Sequence, residues 1–138
     1  MASQLKVDTI TGVTTAGSVA VTGEGNSTTT NLQQGLSKMY ANFEMDGTQA
    51  ITKSFNSASI TDNGTGDTTI SMTNSMGDAN YIQIGNTVHD GGTYVVFNSF
   101  DHDSPSTSSN VIMNCNNNAS GAMTDGEHQM VLVQGDLA

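Results

Sequence analysis

The sequence predicts an all-β protein, an antiparallel β-sandwich of jelly-roll type with an extended β segment at its N-terminus and one short helix. Three observations predict this class. Ser, Thr and Asn make up about a third of the 138 residues, a composition that suits strands and turns and disfavours long helices. Apolar residues recur with a period of two along most of the chain. Turn signals separate these runs at the intervals typical of sandwiches.

The first thirty residues are predicted to be a separate segment, residues 1–30, that packs against other parts of the chain or against copies of itself. One alternating run begins at Leu5 and a second begins at Val19, with a Gly-bounded connection between them. This pattern predicts two short strands, which cannot bury enough apolar surface to be stable alone. They therefore need the rest of the chain, or copies of themselves, to pack against. The residues predicted to make these contacts are Leu5, Val7, Ile10, Val13, Val19 and Val21.

The sandwich domain is predicted to cover residues 31–138, after a polar linker that ends at Thr30. Asn31 is a suitable helix N-cap, and Leu32, Leu36 and Met39 recur at helical spacing, so a short helix is expected over residues 32–38. From Met39 the period changes to two and predicts about eight strands in the last hundred residues. We expect these strands at residues 39–45, 49–55, 57–61, around 70–72, 81–84, 94–100, 111–115 and 130–134.

The charge of the chain excludes two classes of partner. The chain has thirteen acidic residues and only three basic ones, all lysines, for a net charge of -10. Binding to nucleic acid through phosphate contacts is therefore not expected, and an anionic membrane surface would repel the protein. The chain begins without an apolar run of signal-peptide length and contains no stretch of 18 apolar residues, so neither export nor a membrane span is predicted.

Few residues suggest catalytic or metal-binding chemistry. The cluster Asp101-His102-Asp103 has two interpretations, a divalent-metal site or a solvated loop, and we favour the loop because adjacent residues do not converge on one ion. The run from Asp62 to Asp67 is interpreted as a hairpin turn rather than a calcium loop, because it lacks the twelve-residue spacing of an EF-hand.

Cys115, the single cysteine, is expected to be a buried packing residue, and no intrachain disulfide can form. Most of the eight methionines are expected to fill the core, although a subunit interface could also use them. Because the chain has no nucleophile elbow and no phosphate-binding loop, we predict that it is not an enzyme and needs no cofactor. The sequence singles out no carboxylate pair for glycoside hydrolysis.

Several ordered motifs resemble one protein family. Residues 5–16 begin Leu-Lys-Val-Asp-Thr-Ile-Thr-Gly and, with residues 19–25, resemble the N-terminal segment of tail-fibre and virion-surface proteins of tailed phages from marine bacteria. Residues 32–43 are similar to that family's Gln-Gly-Leu-Ala-Lys-x-Trp-x-Asn-Phe block, with Tyr40 in place of Trp. Residues 54–67 and 78–81 are similar to its hairpin and following strand. The resemblance covers residues 4–84.

The resemblance implies a non-enzymatic, β-rich and trimeric structural protein on the virion surface, made in the host cytoplasm and bound to other virion proteins. It also implies that residues 1–30 are the particle-docking and oligomerisation segment. Because the chain is short for a complete tail fibre, we expect a short fibre, a spike or a capsid decoration. The alternative is a receptor-binding module that recognises host glycans through two polar loops, residues 101–110 and residues 116–127, since amide, hydroxyl and carboxylate groups hydrogen-bond sugar hydroxyls. Its candidate ligand-binding residues are Asp101, His102, Asp103, Asn116 and Asn117.

Overall fold

The computed structural model describes residues 4–12, 19–22, 29–88, 96–99, 106–117 and 121–137. The chain separates into an N-terminal unit, Met1–Leu36, and a C-terminal unit, Ser37–Ala138. The boundary predicted after residue 30 therefore falls inside the N-terminal unit. The nearly all-β structure confirms the predicted all-β, sandwich-like fold class.

The N-terminal unit contains a small antiparallel sheet and one helical turn. Strand β1 (Ala20–Thr22) pairs with strand β2 (Thr29–Asn31), with Val21 opposite Thr30. Helix α1 (Leu32–Gly35) follows directly, and the Leu32 amide donates to the Val19 carbonyl at 2.8 Å. The predicted helix therefore exists but ends before residue 38, which agrees with the low helix propensity of Gly35.

The strand predicted to begin at Leu5 is not formed, because residues 4–12 contain no strand. An alternating sequence makes a segment suitable for a sheet, but a strand also requires a neighbouring strand that satisfies its backbone groups. Residues 4–12 have no such neighbour among the described residues. The prediction of a strand in this isolated chain was therefore wrong.

The C-terminal unit contains a strand for each of the eight that the sequence predicted. The strands are β3 (Ser37–Glu44), β4 (Ala50–Phe55), β5 (Ser57–Gly64), β6 (Asp67–Met72), β7 (Ile82–Val88), β8 (Val96–Ser99), β9 (Asn110–Asn117) and β10 (His128–Gln134). Their order along the hydrogen-bonded series is β4-β3-β10-β7-β8-β9-β6-β5, and every pairing is antiparallel.

The two terminal strands of the series, β4 and β5, are consecutive in the chain and separated by Asn56 alone, so the chain passes directly from one edge of the sheet to the other. Asn56 has a φ of 57°, in the left-handed region that Asn tolerates better than most residues. Its side-chain amide donates to the carbonyls of Lys38 and Asn74 at 3.0 and 2.9 Å, and its side-chain oxygen accepts from the Asn74 backbone amide at 2.7 Å. These bonds hold the chain at the corner where β4 gives way to β5.

A single hydrophobic core lies between the two halves of the folded sheet. Strands β3 and β10 supply one side of it, and β6 and β9 supply the other. Phe43 is its one fully buried aromatic side chain among the described residues, and methionines fill much of the remaining space. The buried members are Met39, Ala41, Phe43, Met45, Ile70, Met72, Met76, Val111, Val131 and Val133.

The methionines are divided between the core and the surface. Met39, Met45, Met72 and Met76 are buried, whereas Met123 and Met130 are exposed. The expectation of a methionine-filled core is confirmed for the first four. Met130 lies on the outward side of β10.

Candidate functional site

The predicted ligand-binding residues lie mostly outside the described part of the chain. This is true of Asp101, His102 and Asp103. Asn116 and Asn117 are not loop residues, because they belong to the last two positions of β9 and pair with Phe97 and Val96 of β8. Their backbone groups are therefore used by the sheet.

Hydrogen bonds attach residues 106–110, the described end of the first polar loop, to Tyr81 and Gln83. The single O–H of Tyr81 is shared between two acceptors, the carbonyl oxygens of Thr107 and Asn110, at 2.8 and 2.9 Å. Burial raises the pKa of Tyr81, so the hydroxyl is a neutral donor at physiological pH. The Ser106 hydroxyl also donates to the side chain of Gln83 at 3.3 Å. Residues 106–110 therefore form an anchored start to β9.

Four of the predicted assembly residues of the N-terminal unit are solvent-exposed, whereas Val19 is half-buried. Leu5 is 81% exposed, and Val7, Ile10 and Val21 are each more than half exposed. Val19 uses its carbonyl to hold the start of α1. Val13 lies outside the described residues. The side chains of Leu5, Val7, Ile10 and Val21 are therefore accessible to another molecule.

The run from Asp62 to Asp67 forms the β5–β6 hairpin, in which a two-residue turn at Thr65 and Gly66 joins the strands. Asp62 accepts hydrogen bonds from the Gly64 amide and the Gln49 side chain, while Asn63 donates to Asp67. Within the residues that the structure describes, no three His, Cys, Asp or Glu side chains group as metal ligands would. The carboxylate of Asp62 therefore acts as a hydrogen-bond acceptor that stabilises the turn.

Cys115 is buried in β9, as the sequence predicted, and its thiol donates to the Thr87 hydroxyl at 3.2 Å. Burial raises the pKa of Cys115, while the hydrogen bond to Thr87 acts in the opposite direction. The side chain is therefore a thiol at neutral pH. A buried thiol of this kind is a packing residue, because nucleophilic chemistry requires the exposed thiolate.

Gln129 places an amide inside the core beside Thr87 and Phe43. The side chain is 1% exposed, and neither its nitrogen nor its oxygen has a hydrogen-bond partner among the described residues. A buried polar group without a partner costs about 1–3 kcal/mol of stability. The buried amide of Gln129 therefore lowers the free energy of unfolding of the C-terminal unit.

We expect Gln129→Met to raise the free energy of unfolding by about 1–2 kcal/mol, because an apolar side chain of similar length removes the cost of the buried amide. Urea denaturation followed by far-UV circular dichroism measures this change. The matched control is Gln83→Met, since the Gln83 side chain does accept a hydrogen bond, from Ser106. Equal or lower stability of Gln129→Met relative to the natural chain would contradict the expectation.

The most distinctive surface of the C-terminal unit is an exposed apolar sheet face that sequence reasoning missed. One cross-strand row runs over four neighbouring strands, with Phe55 opposite Tyr40, Tyr40 opposite Leu132, and Leu132 opposite Ile84. Met130 and Ile82 lie two residues away on the same side of β10 and β7. We call this surface the apolar face; its members are Tyr40, Phe55, Ile82, Ile84, Met130 and Leu132.

These side chains are exposed to a degree that is unusual for such residues. Ile82 and Ile84 are each 63% exposed and Phe55 is 52% exposed, and the others exceed one third. The rings of Tyr40 and Phe55 stack with their centroids 6.0 Å apart. A depression of about 450 Å³ lies on this face, and the residues that line it include Tyr40, Lys53, Ile84, Asn86, Met130 and Leu132. Contiguous apolar patches of this kind mark interaction sites.

The outer surface of the other half of the sheet is chemically different. Ser59 pairs with Ser71 and Thr61 pairs with Thr69 across β5 and β6. We call this second surface the hydroxyl face; its members are Ser59, Thr61, Thr69 and Ser71. The hydroxyl face thus carries small hydroxyl side chains where the apolar face carries large apolar ones.

A weak signal for the apolar face was present in the sequence. Ile82 and Ile84 alternate with Gln83 and Gly85, which indicates a half-buried strand but not which side is buried. The usual expectation places isoleucine inside. The structure does the reverse, because the inward positions of β7 hold Gln83, Gly85 and the buried Thr87.

Over the described ranges, no helix has the length and apolar character needed to cross a membrane. No protein-family model, curated protein or solved structure matches this chain.

Proposed function

We propose that this chain is a non-enzymatic structural protein of a phage virion, displayed on the particle surface as a short fibre, spike or capsid decoration. It acts as a homotrimer that binds other virion proteins through its N-terminal unit. The observation that carries the proposal is the number of apolar side chains left exposed in both units, which a protein acting as an isolated monomer has little reason to keep. The virion assignment itself rests on the resemblance over residues 4–84.

The N-terminal unit supports a docking role because its described structure is slight. Its sheet has two strands of three residues each, and the segment before it is not in a strand. Leu5, Val7 and Ile10 are exposed in that segment. An apolar segment of this kind gains stability when a partner surface covers it, at about 1.5–3 kcal/mol for each large side chain fully buried.

We expect the triple substitution Leu5→Ser, Val7→Ser and Ile10→Ser to reduce incorporation of the chain into particles by at least about tenfold, because it removes several kcal/mol of apolar burial at the docking contact. The measurement is the amount of tagged chain that co-purifies with assembled particles. Far-UV circular dichroism of the purified variant verifies that the C-terminal unit is folded.

The control is the pair Thr9→Ser and Thr11→Ser, which alters the same segment without removing its large apolar side chains. We expect this control to be incorporated normally. Equal incorporation of the triple variant and the natural chain would refute docking through the N-terminal unit.

The receptor-binding alternative has one structural feature in its favour, and it lies away from the predicted loops. The depression on the apolar face combines the ring of Tyr40 with the amides of Asn42 and Asn86 and the ammonium group of Lys53. A ring beside hydrogen-bonding groups is a combination that suits sugars. The aliphatic residues around it favour a protein partner more strongly, so self-association is the preferred proposal.

A further inference from the structure

We propose that the apolar face is the surface through which the C-terminal units of this protein associate with one another. The occupant of the face is a second copy of this chain. The inference deepens the proposed function and rests on its self-associating part. It adds an interface in the C-terminal unit, separate from the residues of the N-terminal unit that the sequence suggested.

The polarity of β7 is the first argument. Its apolar residues Ile82, Ile84 and Val88 are exposed, whereas its inward positions carry a polar side chain, a glycine and a threonine. A strand that only had to cover a monomer core would place its isoleucines inward. The arrangement is explained if both sides of β7 are covered, the inner side by the core and the outer side by another molecule.

The area of the face is the second argument. Its six side chains are 37–63% exposed, which leaves on the order of 500 Å² of apolar surface when a fully exposed large side chain presents roughly 150–200 Å². A standard interface buries about 800 Å² on each partner, and rather more than half of that area is apolar. The face therefore supplies about the apolar area that a stable contact between two copies needs.

The charge of the face is the third argument, and it selects a copy of this chain as the occupant. The chain carries a net charge of -10, so most of its surfaces would repel a second copy. Of its thirteen acidic residues, only Glu44 lies within the four strands of the face. Lys53 lies on the same side of the sheet and is the one lysine exposed in the C-terminal unit.

Around the threefold axis of a trimer, the Glu44 carboxylate of one copy can pair with the Lys53 ammonium group of the next copy. The neutral apolar face is thus the part of this acidic protein where two copies meet without like charges opposing each other. A strongly basic partner, in contrast, would have little to recognise on it.

The test measures the mass of the full chain in solution by sedimentation velocity and light scattering over a range of concentrations. The variants are Leu132→Lys and Ile84→Lys, each of which places an unpaired charge at the centre of the face. The matched controls are Thr61→Lys and Thr69→Lys on the hydroxyl face, which add the same charge at paired strand positions. Circular dichroism and urea midpoints verify folding, and the side chain of Ile84 is exposed enough for its replacement to leave the core intact.

We expect the natural chain and both controls to be oligomeric and each face variant to dissociate with a dissociation constant raised at least a hundredfold. An unchanged oligomer in both folded face variants would overturn the assignment of the face and leave self-association, and with it the proposed function, standing. A natural chain that is monomeric at every concentration would remove self-association altogether. A monomer that binds immobilised glycans, with binding lost in Leu132→Lys, would overturn the proposal and assign the depression to sugar.

Should neither face variant fold, amide hydrogen exchange of the natural chain decides the question. Protection of β7 and β10 that increases with protein concentration supports the interface. Protection in these strands that does not change while the oligomer forms rejects it.

Discussion

Replacing Gly66 with alanine is expected to lower the free energy of unfolding by about 3–5 kcal/mol, because the new methyl group meets backbone on two sides. A Cβ at this position would lie 2.6 Å from the Cys115 carbonyl oxygen and 2.8 Å from the Thr124 amide nitrogen. The residue also has a φ of 74°, which alanine adopts only at a cost. Neither backbone group can move freely, since the Thr124 amide donates to that same Cys115 carbonyl.

The position of Gly66 explains why the loss should extend beyond one turn. Its amide donates to the Asp125 carboxylate at 2.6 Å, and its carbonyl accepts from the Cys115 amide at 2.8 Å. The turn therefore joins β5, β9 and the segment before β10. Displacing it loosens all three.

The control for this substitution is Gly47→Ala in the connection between β3 and β4. Gly47 has a similar φ of 81°, but nothing lies within 4 Å of the position its Cβ would take. We expect this variant to lose about 1 kcal/mol, the cost of the backbone conformation alone. Urea denaturation of the two variants separates conformation from close approach, and equal losses would contradict the role of the Cys115 and Thr124 contacts.

The substitution Asn56→Ala is expected to lower the free energy of unfolding by about 3 kcal/mol. It removes the side-chain hydrogen bonds to Lys38 and Asn74, each worth about 1 kcal/mol, and places alanine at a positive φ. Since Asn56 lies between the two terminal strands of the sheet, these bonds hold the corner between β4 and β5 in place.

Two further variants separate the contributions at Asn56. Asn56→Gly tolerates the conformation and should be more stable than Asn56→Ala by about 1 kcal/mol, while it still lacks the hydrogen bonds. Asn56→Asp keeps the acceptor for the Asn74 amide and loses the donor to both carbonyls. Unfolding free energies of all three within a few tenths of a kcal/mol of the natural chain would show that the corner does not depend on this side chain.

Much of the fold could be predicted from local patterns because the physical causes are themselves local. Alternation from Met39 to Met45 predicts a strand with Phe43 and Met39 on the buried side, and both side chains are fully buried. The dense turn signal before Asp67 predicts a hairpin, and the structure contains one there. Cys115 lies in an apolar run and is buried, as expected.

The candidate interaction surface was not predicted because polarity inside and outside a sheet depends on what covers each side. Ile84 and Leu132 look like core residues in the sequence, and only their cross-strand pairing reveals that they lie in one exposed row with Tyr40 and Phe55. The same reason accounts for the failed strand at Leu5. Its alternation was suitable for a sheet, but its partner is not within the described part of this chain.

By itself, the sequence determined the all-β class, the approximate position of the eight described strands of the C-terminal unit, and the net charge of -10. These properties follow from composition and from periodicity over a few residues. Only the tertiary structure decided the strand order, the corner at Asn56 and the apolar face on β4, β3, β10 and β7. Each depends on residues far apart in the chain, such as Tyr40, Ile84 and Leu132, that become neighbours only when the strands pair.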